Sequence, residues 1–269
     1  MNTYAMEKIL TIAERILLMF SRSIDAQDCI PCAQEKHNIE NGLDGLLDAF
    51  PSLRSEISGK CVLDYGCGPG WQSVCLARLD THRIVGIDVS PTRIEHAQAI
   101  ASRFHVAHKM EAHIGWSDDL TGQFDIVISK DSFEHYRHPE LALAEMKKAL
   151  RPNGKLYIVF SWPWYSPLGS HMQFFTLLPW VNLIFSEKTI MRVRSHYRND
   201  GAMRYEDVKS GLNKMTVRRF ENIIRSNDLL IESQFLRGFK KWHFLTRIPL
   251  LRELFTQQVG SILSLPSTS

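Results

Sequence analysis

From Lys60 onward, short apolar runs alternate with segments whose apolar positions recur at helical spacing. "KCVLDYG" (60–66), "RIVGIDV" (83–89), "MEAHIG" (110–115), "FDIVIS" (124–129) and "GKLYIVF" (154–160) read as five strands. Between them, 71–79, 90–104 and 140–150 read as helices. The second opens with Ser90 at the cap and Pro91 at the first helical position, a strong start signal. Strands that are apolar throughout, separated by amphipathic helices, predict an α/β protein. Its sheet is doubly wound and mostly parallel, with helices on both faces. Ligands of such sheets sit at the carboxyl ends of the strands, near the point where strand order reverses.

The flanks are less regular. Residues 4–50 read as a helical region, in which "ILTIAERILLMF" (9–20) is too short to span a bilayer and is broken by Glu14 and Arg15. It reads as an amphipathic segment packed on the domain or on a partner. After Phe160 the alternation lapses for more than fifty residues, too long for a plain connection, which predicts a lid over 161–214. Thr216 then caps a helix over 217–227, a strand follows at 229–236, a helix at about 248–257, and a last strand near 259–265. The division expected is a helical cover (1–57), a cofactor-binding core (58–160), the lid (161–214) and a C-terminal completion of the core (215–269).

Charge changes this picture only locally. The net charge of +3 argues against a dedicated nucleic-acid binder, but residues 161–269 hold 15 Lys and Arg against 8 Asp and Glu. That imbalance points to an anionic acceptor or surface, or to scattered solvated side chains. Five cysteines, an odd number, and the lack of a recognisable targeting segment point to a reducing, cytoplasmic compartment. The Cys29–Cys32 pair has only His37 nearby as a further ligand, short of a zinc set, and no metal is expected.

The most specific stretch is "VLDYGCGPGWQ" (62–72). A dinucleotide fingerprint would need glycine at position 71, which is Trp71; the glycines stand instead at 66, 68 and 70. Asp64 precedes them and Asp88 ends the next strand. This order resembles the class I S-adenosylmethionine-dependent methyltransferases, and specifically their small-molecule "type 11" group. The resemblance extends to "FDIVISKDSFEH" (124–135) and "LRPNGKLYIV" (150–159) and covers about residues 58–160. It implies a Rossmann-like, seven-stranded sheet with a helical lid inserted after strand five, and S-adenosylmethionine as cofactor. Gly66, Gly68 and Gly70 would pass beneath its methionine portion, Asp64 would approach its amino group, and Asp88 would hold the ribose hydroxyls. Trp116, with Ser117 or Asp118, falls where an adenine contact is usual; Trp116 reads equally as a core aromatic. Lys130, closing the fourth strand, would stand beside the cofactor.

Methyl transfer needs positioning and a proton acceptor more than elaborate catalysis. "KDSFEHYRHP" (130–139) offers Asp131, Glu134 and His135, of which His135 is the best general base, or else a structural histidine. His171 is a second candidate, with Trp164 and Tyr165 expected to line an acceptor cavity under the lid; a lid that only excludes water is the alternative. The expected activity is methylation of an O or N acceptor on a small molecule, with anionic and carrier- or sugar-linked acceptors among the candidates. Competing readings are a cofactor-binding protein without activity, or a methyltransferase for a lipid-like acceptor. "GFKKWHFLTRIPLLRELF" (238–255) reads as a packed C-terminal helix or as an interfacial helix making weak membrane-surface contact.

Overall fold

The structure is a computed structural model and describes residues 10–22, 41–208 and 211–266. The Cys29–Cys32 pair and His37 lie outside the described residues. Strand β1 (Cys61–Tyr65) is the third strand of a seven-stranded sheet of order β3-β2-β1-β4-β5-β7-β6. Strands β2 (Arg83–Asp88) and β3 (Met110–Ile114) lie to one side of it; β4 (Phe124–Lys130) and β5 (Leu150–Ser161) lie to the other. These five are parallel, while β7 (Thr256–Ser264) runs antiparallel between β5 and β6 (Leu230–Gly238).

Both faces of the sheet are buried at its inner strands, which is why β1, β2 and β4 read as nearly unbroken apolar runs. Val62, Ile126, Ile128, Tyr157 and Val159 enter the core on one face; Leu63, Val127, Leu156 and Ile158 enter the core on the other. The helices α2 (Asp44–Ala49), α3 (Leu53–Glu56), α4 (Trp71–Ala77) and α5 (Pro91–Arg103) cover the first face. The second is covered by α6 (Pro139–Ala149) and α9 (Val217–Ser226). Thr216 caps α9 by accepting the Arg219 N–H, as its position suggests.

The remaining helices form a third cluster outside the sheet. Helix α1 (Ile12–Met19) packs Leu17 against Ile190 and Val193 of α8 (Glu187–Arg194), and its buried Glu14 pairs with Arg192 at 2.9 Å. The expected N-terminal cover therefore divides: residues 44–56 cap the sheet, and α1 packs on the insertion. That insertion is less helical than expected. Among its described residues it holds, besides α8, only α7 (Val181–Ile184) and a 3-10 turn at Tyr205–Asp207. Pro163, Pro167 and Pro179 remove backbone donors, and Trp162, His171 and Trp180 adopt positive φ, so residues 161–180 run as successive turns. The helix expected at 248–257 is likewise reduced to one turn, α10 (Arg252–Phe255), because Pro249 interrupts it and β7 begins at Thr256; a 3-10 stretch (Lys240–Arg247) precedes it.

The glycine turn after β1 depends on close helix packing. Gly70 has φ of 85°, and a Cβ there would lie 2.6 Å from the Ala97 Cβ of α5. Gly70→Val should therefore lower the unfolding free energy by about 2–4 kcal/mol, from left-handed strain and overpacking together. An unchanged urea midpoint would show that α4 and α5 do not meet this closely.

Candidate active site

The chain runs outward from β1 through β2 to β3, then returns to place β4 on the other side of β1. Strand order reverses between β1 and β4, and at their carboxyl ends a cavity of about 1250 Å³ opens. Gly66 and Asp88 line it from one side, with Trp116 beyond them; Asp131, His135 and Tyr136 line it from the other.

Asp88 organises the first side. Its Oδ2 accepts the Gly68 N–H at 3.0 Å and its Oδ1 accepts the Ser90 N–H at 2.9 Å, with Arg93 at 3.5 Å. Those contacts leave lone pairs on both oxygens, since a carboxylate offers about four acceptor positions. Gly68 itself has no atom within 4 Å on the side where a Cβ would stand. An open glycine backbone beside a carboxylate with spare acceptors fits the ribose and methionine portions of S-adenosylmethionine.

Asp64 sits elsewhere. It is fully buried, its oxygens taken by Gln72 at 2.9 Å and Ser73 at 2.6 Å, and it fixes the start of α4 rather than lining the cavity. Burial raises its pKa to about 6 despite those two donors. Gly70 serves the same helix. Trp116 lines the cavity, with its indole N–H on Asp118 at 3.2 Å, whereas Ser117 is exposed and does not. Lys130 turns its Nζ onto Asp131 at 2.8 Å and is also absent from the lining.

On the opposite side, the end of the insertion holds the loop after β4. Asn213 donates its amide to the carbonyls of Phe133 and Tyr136, both at 2.8 Å, and its backbone N–H to Glu134 at 3.0 Å. The Gly211 carbonyl meets His135 Nδ1 at 2.9 Å. A carbonyl only accepts, so Nδ1 carries the proton and Nε2 keeps its lone pair. Burial lowers the His135 pKa below the ordinary 6.5, with the Gly211 contact opposing, and the ring is neutral at pH 7. Nothing in the sequence marks Gly211 or Asn213; Gly211 reaches His135 from 76 positions away, with α6, β5 and most of the insertion between them.

The other expected catalytic and acceptor-lining residues fall behind this wall. The His171 ring lies edge-on to His135 at 5.3 Å and holds the Trp162 carbonyl at 3.2 Å, outside the cavity lining. Burial, and then the neighbouring His135, bring its pKa down to about 4, too weak for a general base at neutral pH. Trp164 packs edge-on against Tyr205 in the third cluster, and Tyr165 is largely exposed; neither lines the cavity. The insertion lines it instead with Glu187, Arg204 and Lys214. These charges are mixed: Lys214 pairs with Glu187 at 2.8 Å and Arg204 with Glu206 at 3.1 Å. Arg93 and Arg137 are lining residues that the sequence pattern did not single out.

Residues 63–158 match the family model described as "Methyltransferase domain". Over those residues, about a third of its length, the chain matches a methyltransferase domain. Ubiquinone biosynthesis O-methyltransferase of Xanthomonas oryzae pv. oryzae is 30% identical over 111 residues, 40% of this chain and 46% of that protein. Magnesium-protoporphyrin O-methyltransferase of Rhodobacter capsulatus is 35% identical over 99 residues, 36% and 43% of the two. The chain thus matches less than half the length of these curated relatives. An S-adenosylmethionine-dependent methyltransferase structure from Mesorhizobium loti superposes with a TM-score of 0.54 at 18% identity, covering 82% of this chain and 99% of that one, and shares the fold.

One carboxyl group of the methyltransferase domain is held protonated. Glu134 is 3% exposed with no hydrogen-bond partner for its Oε2 among the described residues, and burial, reinforced by Asp131, raises its pKa to about 8. Between 4.5 and 8 the folded state keeps a proton that the unfolded chain releases, so Glu134 makes stability fall as pH rises. Glu134→Gln should remove that fall: wild-type stability relative to the variant should drop by on the order of 4 kcal/mol across this window. Parallel pH profiles of the two in urea unfolding would place an ionised carboxylate at this position.

Proposed function

We propose that the protein is an S-adenosylmethionine-dependent O-methyltransferase acting on a small-molecule hydroxyl acceptor. The observation that carries this reading is the His135 tautomer: a neutral imidazole with an unprotonated Nε2, on the wall of the same cavity as Asp88 and the glycine turn. The names of the two curated relatives, both O-methyltransferases, support oxygen over nitrogen as the acceptor atom.

Bound in the cavity, S-adenosylmethionine supplies an electrophilic methyl group on a sulfonium. Asp88 would accept hydrogen bonds from the ribose diol, and the backbone at Gly66 and Gly68 would pass against the methionine portion. Trp116 would flank the adenine. His135 would take the acceptor's proton at Nε2, while Gly211 holds Nδ1–H and so fixes the ring and its tautomer. Asn213, a positioning residue, holds the loop that carries the imidazole. The methyl transfer itself asks for in-line placement and exclusion of water, which the insertion provides by walling the cavity.

Asp88→Ala should weaken S-adenosylhomocysteine binding at least about tenfold in calorimetric titration, through loss of charge-assisted hydrogen bonds. Unaltered affinity would take Asp88 out of the ribose site.

His135→Ala should keep cofactor affinity and lower the turnover of phenolic or catecholic acceptors, followed with radiolabelled methyl donor, by at least ~100-fold. His171→Ala should stay within about tenfold of wild type. Deprotonated His135 is the active form, so the wild-type rate should hold steady above pH 7 and decline only below the 6.5 of an ordinary imidazole. A decline that begins above pH 7, or near-normal turnover in His135→Ala, would assign the base elsewhere.

A further inference from the structure

Three exposed apolar segments outside the cavity are joined to one another. Helix α1 spends Leu17 and Glu14 on α8 but leaves Ile12 78%, Met19 81% and Phe20 57% exposed. Its end is bound to the insertion: Thr176 Oγ1 donates to the Phe20 carbonyl at 3.0 Å, beside exposed Leu177. Farther along the insertion, Leu183 and Ile184 are exposed, and the Trp180 ring lies edge-on to Phe255 at 5.9 Å. Phe255 in turn stacks on Trp242 at 5.6 Å, in the third segment. There Leu245 and Thr246 anchor the 3-10 stretch, while Trp242, Phe244 and Ile248 are exposed and Leu250 is 88% exposed.

We propose that this face is a docking surface for a membrane rich in anionic lipid, with the aromatic and aliphatic side chains entering the headgroup layer. Charge selects that occupant. Arg15, Arg22, Lys241 and Arg247 are exposed in these segments, without an ion-pair partner among the described residues. The only acid in residues 11–22, 176–184 and 239–250 is Glu14, which is buried against Arg192. A second copy of the chain would bring basic residues against basic residues with no acid in these segments to answer them. Anionic headgroups answer them directly, and basic residues beside aromatic anchors are the composition of an interfacial element.

The face adjoins the catalytic end of the sheet. Its third segment leaves the carboxyl end of β6, level with the end of β5, and Phe239 lies 5.3 Å from the Trp162 ring, whose carbonyl holds His171 behind His135. The inference stands apart from the methyl-transfer reading, because lipid binding needs neither cofactor nor turnover.

The test is co-sedimentation of the full chain with unilamellar vesicles of phosphatidylcholine, with and without phosphatidylglycerol. The protein should pellet with the anionic vesicles and be released by high salt. The double variant Lys241→Gln/Arg247→Gln should lose about tenfold or more of that partitioning. Phe244→Glu/Leu250→Glu should abolish it while leaving the thermal midpoint and S-adenosylhomocysteine affinity unchanged, since both side chains are exposed. Failure of the wild type to pellet with anionic vesicles, or equal pelleting by wild type and variants, would overturn the proposal. So would a dimer in sedimentation velocity that Leu250→Glu dissociates, with no vesicle binding by the wild type.

Discussion

The Asp88 carboxylate accepts the Gly68 N–H through one oxygen and the Ser90 N–H through the other. Two bonds of that kind tie the glycine turn after β1 to the tip of β2 and to the entry of α5. They also hold a nearly buried charge at the cavity wall, where it keeps acceptor capacity for a ligand. Moving the turn would break the packing of α4 on α5 at Gly70; moving β2 would leave a carboxylate without donors in a site that is only 8% exposed. The ligand-facing geometry on this side is therefore set by the same contacts that hold the sheet and helices together.

The other side is built differently. The loop after β4 carries His135 but does not fix it alone. Gly211 and Asn213, at the end of the insertion, accept from its imidazole and donate to the carbonyls around it. Gly211 is suited to this approach, because a Cβ there would lie 2.7 Å from the His135 carbonyl oxygen. The insertion thus does two things at once: it walls the cavity and sets the tautomer of the residue proposed as base. His171 and the protonated Glu134 support this wall from behind.

Strands β1, β2, β4 and β5 were legible in the sequence because burial on both faces leaves their centres apolar, whereas the edge strand β3 alternates buried and exposed positions. Ser90–Pro91 and Thr216 marked helix starts because capping is a local interaction. Asp88 and the glycines were legible for the same reason, as a turn and a strand end. The insertion was not. Its path depends on non-glycine residues held at positive φ, among them Trp162, His171 and Trp180, and on hydrogen bonds between segments far apart in sequence. Neither leaves a periodic signal, so His171, Trp164 and Tyr165 looked like cavity residues on proximity to β5 alone. The contacts of Asp64 were not legible either, because its motif position does not show that Gln72 and Ser73 take its oxygens at the start of α4.

A crystal structure of the protein with S-adenosylhomocysteine tests the central claim most directly. The account predicts both ribose hydroxyls within hydrogen-bond distance of Asp88, the backbone of Gly66 and Gly68 against the homocysteine portion, and His135 Nε2 on the open side of the sulfur. A ligand bound away from Asp88, or a sulfur with no path to His135 Nε2, would contradict it.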